Sequence, residues 1–517
     1  MKQHSIVILL FLSSIITTAQ SFLDPTFGTG GYVTLDIDGS FDQFTDMVVQ
    51  PDGKIVAVGH ANLSELNSLI ARFHSNGELD VSFNGTGWAI NPVPTWEGPG
   101  DYVGVALQAD GKLICVGRMR TALNEPTNIL VTRYLTDGTL DPDFGTGGYL
   151  LLPPPNDGIW RARDVLITPE GKILICGFAE IDPDNDNDLL VIQLQANGTY
   201  DTAFGIGGVV VVHPGDPQWD FEAYDMALQS DGRIVLATEG RVDDPDFVPI
   251  WGCRLMPDGA LDLSFGDNGL VINSLEGYAA ENVVIGPNDE VFLAGYGNVL
   301  GNSMDMVTMR LDANGQDAVD SYYECASDET LTSQGAWFQA DGGVITLGLT
   351  DGDAYLMRWL PDGTMDPTFG NNGFVTETTI HIDPLNFSGE LWVEDDGRML
   401  VCARSSVVPG NGGDAILMAF YPSAVGIAET GSYATVQVAP VPASDRIILT
   451  ADPSLIGGTV MLELINANGA MVYSQSIAVL AQHTTIAIPE NISNGAYTLL
   501  LRSSAGTSRP ARVILQR

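Results

Sequence analysis

Basic residues and cysteines are scarce in this chain of 517 residues. Lys and Arg together number 22 against 65 Asp and Glu, which gives a formal net charge of −43. Such an excess of negative charge repels phosphate backbones and anionic lipid headgroups, so nucleic acid is not an expected partner. The five cysteines are scattered and form no CxxC pair, which indicates neither a disulfide framework nor a zinc site. Because Cys115, Cys176 and Cys402 lie in similar apolar runs, we expect buried, inert thiols.

Long apolar runs and the common catalytic motifs are also missing. Beyond the N-terminus, no stretch approaches the roughly 20 apolar residues of a transmembrane helix, so no transmembrane segment is predicted. The sequence contains no GxSxG, HExxH or P-loop motif, and its six histidines share no close metal-ligand spacing. The sequence therefore carries no standard enzymatic signature, and a catalytic role is left open rather than predicted.

The first 20 residues have the pattern of a secretory signal peptide. Lys2 supplies the positive charge, residues 6–16 supply the apolar segment, and small residues precede Gln20. The nearest cysteine downstream is Cys115, so a lipid anchor on an N-terminal cysteine is not indicated. We expect the mature chain to be exported in soluble form.

One motif recurs six times: a hydrophobic residue, Asp, two variable residues, Phe, three more residues, and Gly. Successive Phe positions lie 56, 61, 60, 61 and 104 residues apart, so the last gap hides one degenerate copy, near residues 310–324. The six Asp and Phe pairs are Asp24 and Phe27, Asp80 and Phe83, Asp141 and Phe144, Asp201 and Phe204, Asp262 and Phe265, and Asp366 and Phe369.

A second motif, a tight turn between two apolar runs, occurs seven times. Four copies read Asp-Gly after Pro, Ala or Ser, as at Asp52-Gly53 and Asp231-Gly232. This pattern predicts a hairpin, because Gly supplies the positive φ angle that the turn needs. Each unit then contains four strands in about 40 to 60 residues, which is typical of a β-propeller blade.

The order of strands at the two ends of the repeat region predicts how the ring closes. The mature chain opens with one strand, residues 31–37, before any hairpin, and the last unit ends at its third strand, residues 415–420. The first strand can fill the vacant fourth position of the last unit and so remove two open sheet edges. We therefore predict an all-β fold in which residues 21–421 form a seven-bladed β-propeller closed by its N-terminal strand.

These repeats resemble the delta-sixty repeat family of bacterial secreted proteins, whose units carry an LDxxFGxxG corner and a PDGKIxxxG hairpin. The resemblance covers roughly residues 22–421. The residue types also indicate structural roles: Phe fills the space between neighbouring blades, Gly allows a left-handed corner, and Asp accepts backbone N–H bonds. Because positions repeated around a ring are usually structural, we do not count these aspartates as sites.

A different pattern follows the repeats. Residues 422–434 are rich in small residues and read as a linker, and residues 435–517 contain about seven short alternating strands, which predicts a small β-sandwich. Residues 439–445, Asn466 to Gly469 and residues 492–497 resemble the type A sorting domain of the type IX secretion system of Bacteroidota, although Val441 stands where that family usually has Asn. The resemblance implies transport by that machinery to the cell surface or medium, followed by release or attachment to surface lipopolysaccharide.

Two groups of acidic residues are candidate ligand sites. The first is a run of alternating carboxylates whose spacing could wrap calcium, namely Asp182, Asp184, Asp186 and Asp188. The second group lies seven residues before the turn Gly in four of the seven hairpins and is placed by the fold at the start of the innermost strands, around one mouth of the channel: Asp46, Asp164, Asp225 and Glu390. Solvated turns and strand caps explain both groups as well, and we favour that structural interpretation; no cofactor other than calcium is indicated.

Two functions remain compatible with the sequence. The favoured one is a secreted or cell-surface, non-catalytic binding or structural propeller whose ligand is an unidentified glycan or protein. The alternative is a polysaccharide-active lyase or hydrolase with carboxylates at the channel mouth. A propeller fold alone cannot decide between them.

Overall fold

The computed structural model describes most of residues 22–421 and short segments of residues 436–515. The described ranges are 22–39, 41–63, 66–90, 100–120, 127–155, 158–180, 187–213, 220–241, 250–272, 277–297, 305–316, 319–323, 331–350, 352–371, 373–382, 389–405, 413–421, 436–439, 446–451, 460–466, 471–477, 483–489, 492, 495–503, 506–507 and 511–515. The predicted signal peptide and the linker at 422–434 lie outside them. The described residues include no helix of the length and hydropathy that a membrane span requires.

The described strands of residues 22–421 form three four-stranded and two eight-stranded antiparallel sheets. A single residue pair joins the two halves of each eight-stranded sheet, Glu239 with Ala279 and Ile382 with Ser405, so we divide each into two four-stranded units and number the units as blades 1 to 7. The first strand, β1 (Tyr32–Leu35), belongs to blade 7. Blade 1 contains β2 (Phe41–Val49), β3 (Ile55–Asn62), β4 (Leu66–Phe73) and β5 (Trp88–Ile90). Blade 2 contains β6 (Gly100–Leu107), β7 (Leu113–Arg120), β8 (Thr127–Tyr134) and β9 (Tyr149–Leu152). Blade 3 contains β10 (Ile159–Ile167), β11 (Ile173–Glu180), β12 (Asn187–Leu194) and β13 (Val209–Val212).

The remaining blades follow the same order. Blade 4 contains β14 (Asp220–Leu228), β15 (Ile234–Arg241), β16 (Ile250–Leu255) and β17 (Leu270–Ile272). Blade 5 contains β18 (Gly277–Ile285), β19 (Val291–Gly297), β20 (Asp305–Leu311) and β21 (Val319–Tyr323), the last of which lies where the corner motif is degenerate. Blade 6 contains β22 (Thr332–Phe338), β23 (Val344–Leu349), β24 (Gly352–Trp359) and β25 (Phe374–Ile382). Blade 7 contains β26 (Glu390–Val393), β27 (Met399–Ser405) and β28 (Asp414–Phe420), with β1 as its outer strand.

The first strand of each blade lies innermost, against the first strand of the next. These contacts run in order through β2, β6, β10, β14, β18, β22 and β26, and β26 contacts β2 again. Radial four-stranded sheets around such a ring define a β-propeller. The all-β propeller predicted from the repeats is therefore confirmed.

The N-terminal strand closes the ring in the predicted way. β1 runs antiparallel to β28, with Tyr32 opposite Met418 and Leu35 opposite Ala415. The adjoining backbone adds hydrogen bonds, from the N–H of Asp24 to the carbonyl of Ala419 at 2.7 Å among them. Residues from the two ends of the repeat region therefore form one blade.

The repeated aspartates and phenylalanines have the structural roles that the sequence predicts. Asp80 Oδ1 accepts the N–H of Ser82 at 3.1 Å, and Asp24, Asp141, Asp201, Asp262 and Asp366 repeat this bond at their own corners. The corner phenylalanines are buried, and Phe83 packs in one cluster with Val58 of blade 1 and Tyr102 of blade 2. Each corner thus joins its own blade to the next.

An arginine that sequence analysis did not single out completes most corners. Arg72 donates from Nε to Asp80 at 2.8 Å and from Nη1 to the carbonyl of Thr136, in blade 2, at 2.6 Å. Its guanidinium also lies 4.7 Å from the centre of the Phe83 ring. Arg133 and Arg254 repeat this arrangement in blades 2 and 4.

The same ion pairs shift the titration of the corner aspartates. Burial alone would raise the pKa of Asp80, but its bonds to Ser82 and Lys54 and the charge of Arg72 hold that pKa well below its usual range. The corners therefore stay ionised, and paired, in all but strongly acidic solution.

The described segments of residues 436–515 form two antiparallel sheets. One contains β29 (Val436–Ala439), β30 (Arg446–Ala451) and β33 (His483–Ala487); the other contains β31 (Val460–Asn466), β32 (Met471–Ile477), β34 (Gly495–Ser503), β35 (Gly506–Thr507) and β36 (Ala511–Leu515). Ile447 and Ile486 of the first sheet and Leu462 and Leu499 of the second are buried. These strands agree within about two residues with those predicted from the sequence.

Removal of residues 22–37 should open the ring. The deletion exposes the backbone edge of β28, so we expect aggregation or loss of a single cooperative melting transition, measured by light scattering and calorimetry. A deleted chain that stays monomeric with the parent melting temperature would contradict this closure.

A matched pair of point variants separates packing from edge exposure. Leu35 is buried and Thr34 is exposed on the same strand. Leu35→Lys should lower the free energy of unfolding by about 2–4 kcal/mol, whereas Thr34→Lys should change it by less than about 0.5 kcal/mol.

Candidate functional site: the channel mouth

A β-bulge interrupts the innermost strand of blades 1 to 6 at the same position. The register shifts beside Thr45, Val103, Arg163, Tyr224, Glu281 and Gln334. A bulge adds one residue to a strand and redirects its side chain. The six bulge residues therefore occupy equivalent positions in their blades, and their side chains lie outside the regular alternation of the paired strands.

The residue that follows the bulge is an aspartate in three blades, namely Asp46, Asp164 and Asp225, which belong to the second acidic group predicted from the sequence. Asp46, Asp164 and Asp225 are each the sixth residue of a nine-residue strand, whereas Glu390 begins β26. The sequence placed all four at strand entry, and this is corrected for the three aspartates, which lie deeper. The predicted positions were wrong because polar residues in the first halves of these strands obscure the alternation of buried and exposed side chains.

These carboxylates connect neighbouring blades. Asp46 accepts the N–H of Met47 at 2.6 Å and, with its other oxygen, that of Val105 in blade 2 at 2.5 Å. Asp225 likewise accepts the N–H of Met226 at 2.7 Å and that of Val283 in blade 5 at 2.8 Å. The structural interpretation of this group therefore has direct support.

The four carboxylates also influence one another's protonation. Burial raises the pKa of Asp46 and of Asp225, and the charge of Asp164 raises both further. Burial, followed by the charges of Asp46 and Asp225, raises the pKa of Glu390. Asp164 and Asp225 also share a side-chain hydrogen bond, which requires a proton on one of the two carboxyls.

The calcium prediction is not settled at either group. Within the described ranges, no three His, Cys, Asp or Glu residues are grouped so that they could hold a metal ion. Asp182, Asp184 and Asp186 lie outside those ranges. Asp188 is described, is buried in β12, and lies 2.5 Å from Nδ1 of His213. Calcium binding stays a prediction of the sequence.

A cluster of polar side chains occupies the mouth beside blades 3, 4 and 5. We define the mouth cluster as Arg163, Glu222, Tyr224, Glu239 and Glu281. Arg163, Tyr224 and Glu281 are the bulge residues of three successive blades. Glu222 and Glu239 lie directly opposite each other on β14 and β15.

Ionic and aromatic contacts fix the arginine of this cluster. Arg163 donates from Nη2 to Glu222 at 2.9 Å, and its guanidinium lies 4.6 Å from the centre of the Tyr224 ring and 5.4 Å from that of Phe178. Asn187 donates to the second oxygen of Glu222 at 2.7 Å. The Arg163 side chain is nevertheless 38% exposed, so its position is fixed while part of it faces the opening.

The remaining carboxyls of the cluster differ in protonation and in partners. The hydroxyl of Tyr224 donates to Glu239 at 2.7 Å. Burial, followed by the charge of Glu239, raises the pKa of Glu281 to about 8. Oε2 of Glu281 is buried and has no hydrogen-bond partner among the described residues. The cluster therefore brings together a cation, a hydroxyl that donates to Glu239 and, at neutral pH, a carboxyl that keeps its proton at Glu281.

Sequence analysis missed this cluster by one position. It aligned the residue after each bulge and examined only the carboxylates in that column. The preceding column, with Arg163, Tyr224 and Glu281 in consecutive units, departs from the hydrophobic pattern of the repeats. That irregularity was the available signal.

A family model described as "Domain of unknown function (DUF5122) beta-propeller" matches four segments, residues 50–83, 108–144, 168–204 and 339–369. Each segment runs from the hairpin turn of a blade to its corner phenylalanine. The match supports the propeller fold and falls on the repeats found in the sequence. A comparison with curated proteins finds no similar chain.

Solved propeller structures are similar to this chain at low sequence identity. A catalytically inactive virginiamycin B lyase from Staphylococcus aureus covers 75% of this chain and 98% of its own, with 10% identity and a TM-score of 0.40. The structure of polysaccharide lyase Uly1 covers 80% of this chain and 94% of its own, with 12% identity and a TM-score of 0.43. The β-propeller domain of the Trilobed protease from Pyrococcus furiosus covers 74% and 96%, with 11% identity and a TM-score of 0.38. Similarity at this level carries no argument about activity.

The raised pKa values predict how stability depends on pH. Glu281 binds a proton in the folded chain up to about pH 8, whereas an ordinary carboxyl loses it near pH 4. The folded state therefore holds more protons between these values, and its stability should fall as pH rises from 5 to 8. Glu281→Gln mimics the protonated form, so this variant should lose roughly 1–3 °C less melting temperature over that range than the parent chain.

Glu78 is exposed, and Glu78→Gln serves as the control. It should follow the parent at every pH. Identical pH profiles for the parent and Glu281→Gln would show that Glu281 is not protonated in the folded state.

Proposed function

We propose that this protein is a secreted or cell-surface propeller that binds a polar ligand, a glycan in the first instance, at the mouth cluster. The supporting observation is that bulges at corresponding positions of three successive blades supply Arg163, Tyr224 and Glu281, and that the Arg163 guanidinium lies 4.6 Å from the centre of the Tyr224 ring. Rigid aromatic and charged groups in a concave site give both contact area and hydrogen bonds of fixed direction.

The binding function accounts for features that blade packing alone does not explain. Arg163 of blade 3 is held by Glu222 and Tyr224 of blade 4 and by Phe178 of its own blade, and it therefore joins two blades, yet its side chain stays 38% exposed. Oε2 of Glu281 is buried without a partner among the described residues, which costs about 1–3 kcal/mol unless a ligand satisfies it. Sites that accept such costs are often functional.

A catalytic alternative is favoured by one observation. Burial and the charge of Glu239 keep Glu281 protonated at neutral pH, while Glu239 accepts a hydrogen bond from Tyr224. A protonated carboxyl paired with a second carboxyl group is the arrangement that glycoside hydrolysis uses for its acid and its base. In that case Glu281 would protonate the leaving oxygen and Glu239 would act as the base.

Glycan and protein arrays can test both functions if binding and product release are scored together. Arg163→Gln should weaken binding roughly 10- to 100-fold, because it removes a charged hydrogen-bond donor. Arg446→Gln changes an exposed arginine outside the propeller and is the matched control.

The outcomes separate the two functions. Binding without release by the parent chain supports the binding function. Product release that disappears in Glu281→Gln while binding remains would favour the hydrolase. Equal binding by the parent and Arg163→Gln would exclude the mouth cluster as the site.

We also propose that residues 1–20 are a secretory signal peptide and that residues 435–517 are a type IX secretion sorting domain. The sequence resemblance supports the sorting domain, and the two antiparallel sheets of the described segments are compatible with it. The proposed partners are accordingly the type IX machinery and, after sorting, surface lipopolysaccharide. The domain would then direct transport and take no part in ligand binding.

Removal of residues 433–517 should retain the protein in the periplasm of a host that has type IX secretion. The measurement is the fraction of protein in periplasm, outer surface and medium. Calorimetry of the truncated chain is the control, because the propeller should keep its melting transition. Normal appearance of the truncated chain outside the cell would contradict the sorting assignment.

A further inference from the structure

A second polar group lies across the channel from the mouth cluster, in blades 7, 1 and 2. We define the second cluster as Phe41, His60, Asp101, Arg118 and Arg404. These residues lie on β2, β3, β6, β7 and β27, whereas the mouth cluster belongs to blades 3 to 5. His60 lies opposite Gln43, so it shares one face of the β2–β3 pair with Phe41, and Asp101 lies opposite Arg118 near the corresponding end of blade 2. The charges of Asp101, Arg404 and Arg118 also act on the pKa of His60.

The guanidinium of Arg118 has more hydrogen-bond donors than its contacts with described residues use. Its Nε contacts both carboxylate oxygens of Asp101, at 2.9 and 3.0 Å. The side chain is 45% exposed, and its two terminal nitrogens have no partner within the described ranges. Such a guanidinium, held at one end and open at the other, is suited to a carboxylate.

An exposed aromatic ring lies beside the other arginine. Phe41 is 45% exposed, which is unusual for a large apolar side chain in this structure. The Arg404 guanidinium, which is buried, lies 5.6 Å from the centre of the Phe41 ring. An aromatic face next to guanidinium groups can pack against the apolar face of a sugar ring while the charges bind its substituents.

His60 is the unsatisfied member of the cluster. It is only 8% exposed, and its Nδ1 is buried without a hydrogen-bond partner among the described residues. Burial lowers the pKa of His60, so the ring is neutral at pH 7. Natural structures leave few buried polar atoms unpaired, and a ligand group would explain this one.

We propose that the second cluster binds an acidic sugar through its carboxylate. Arg118 holds the carboxylate with its terminal nitrogens, Phe41 packs against the sugar ring, and His60 forms a hydrogen bond to a ring substituent. A carboxylate presents two oxygens in one plane, which match the terminal nitrogens of a guanidinium that is already held by its Nε, as Arg118 is. The choice of a sugar as carrier rests on the proposed function; the site itself uses none of the mouth-cluster residues.

The test compares a glucuronate-containing disaccharide with its methyl ester, which keeps the shape and removes the charge. Titration of the full chain by calorimetry at pH 7 should give at least roughly tenfold weaker binding of the ester, as expected for loss of a charge-assisted hydrogen bond. Arg118→Gln should bind both compounds equally and weakly. Because Arg118→Gln removes the partner of the buried Asp101, the double variant Arg118→Gln with Asp101→Asn, which leaves no unpaired carboxylate, should give the same binding result with a melting temperature closer to that of the parent.

Arg163→Gln is the matched control, since it changes an arginine of the mouth cluster instead. It should keep the preference for the acid even if it loses the ligands found on the arrays. Equal binding of acid and ester by the parent chain, absence of binding to both, or a preference that survives Arg118→Gln would each overturn the proposal. Loss of the preference in Arg163→Gln alone would assign acid recognition to the mouth cluster.

Discussion

The backbone carbonyl that one blade presents to the arginine of the blade before it is the contact on which the ring depends. Arg72, Arg133 and Arg254 each bind their own corner aspartate and a carbonyl of the next blade. Removal of such a buried arginine would take away the closest partner of the carboxylate and one hydrogen bond to the next blade, while a second cation would remain beside the carboxylate, as Lys54 does at Asp80. In blade 7 the equivalent contact comes from Arg398, which lies next to a hairpin turn and donates to the carbonyl of Ser75.

The electrostatic environment of the channel carboxylates is the opposite of that at the corners. Asp80, Asp141, Asp201, Asp262 and Asp366 at the corners have arginine or lysine partners and lowered pKa values. Burial and mutual charge instead raise the pKa values of Asp46, Asp225 and Glu390. The two populations respond to pH in different ranges. Acid below the usual carboxyl range weakens the corners, while a rise toward pH 8 weakens the channel.

Much of the fold could be predicted because Asp24, Phe27 and their repeats encode the corners directly. The N-terminal strand was recognisable because the first strand and the last incomplete unit complement each other. The first halves of the innermost strands were not recognisable in the sequence. Segments such as residues 41–46 carry polar side chains on both faces and include a bulge. The mouth and second clusters were missed for the same reason: Arg163, His60 and Arg118 belong to no repeated motif, and only folding brings them to one opening.

The bulge column has a consequence for how such a chain could change over time. Thr45, Val103 and Arg163 occupy the same place in three blades with unrelated side chains, while the corners around them stay nearly constant. The repeated corners carry a fixed set of contacts, whereas each bulge residue makes contacts of its own: Thr45 donates to the carbonyl of Tyr102 in blade 2, and Arg163 pairs with Glu222 in blade 4. Substitutions at the bulges would therefore change the chemistry of the channel blade by blade, without altering the motif that every corner repeats.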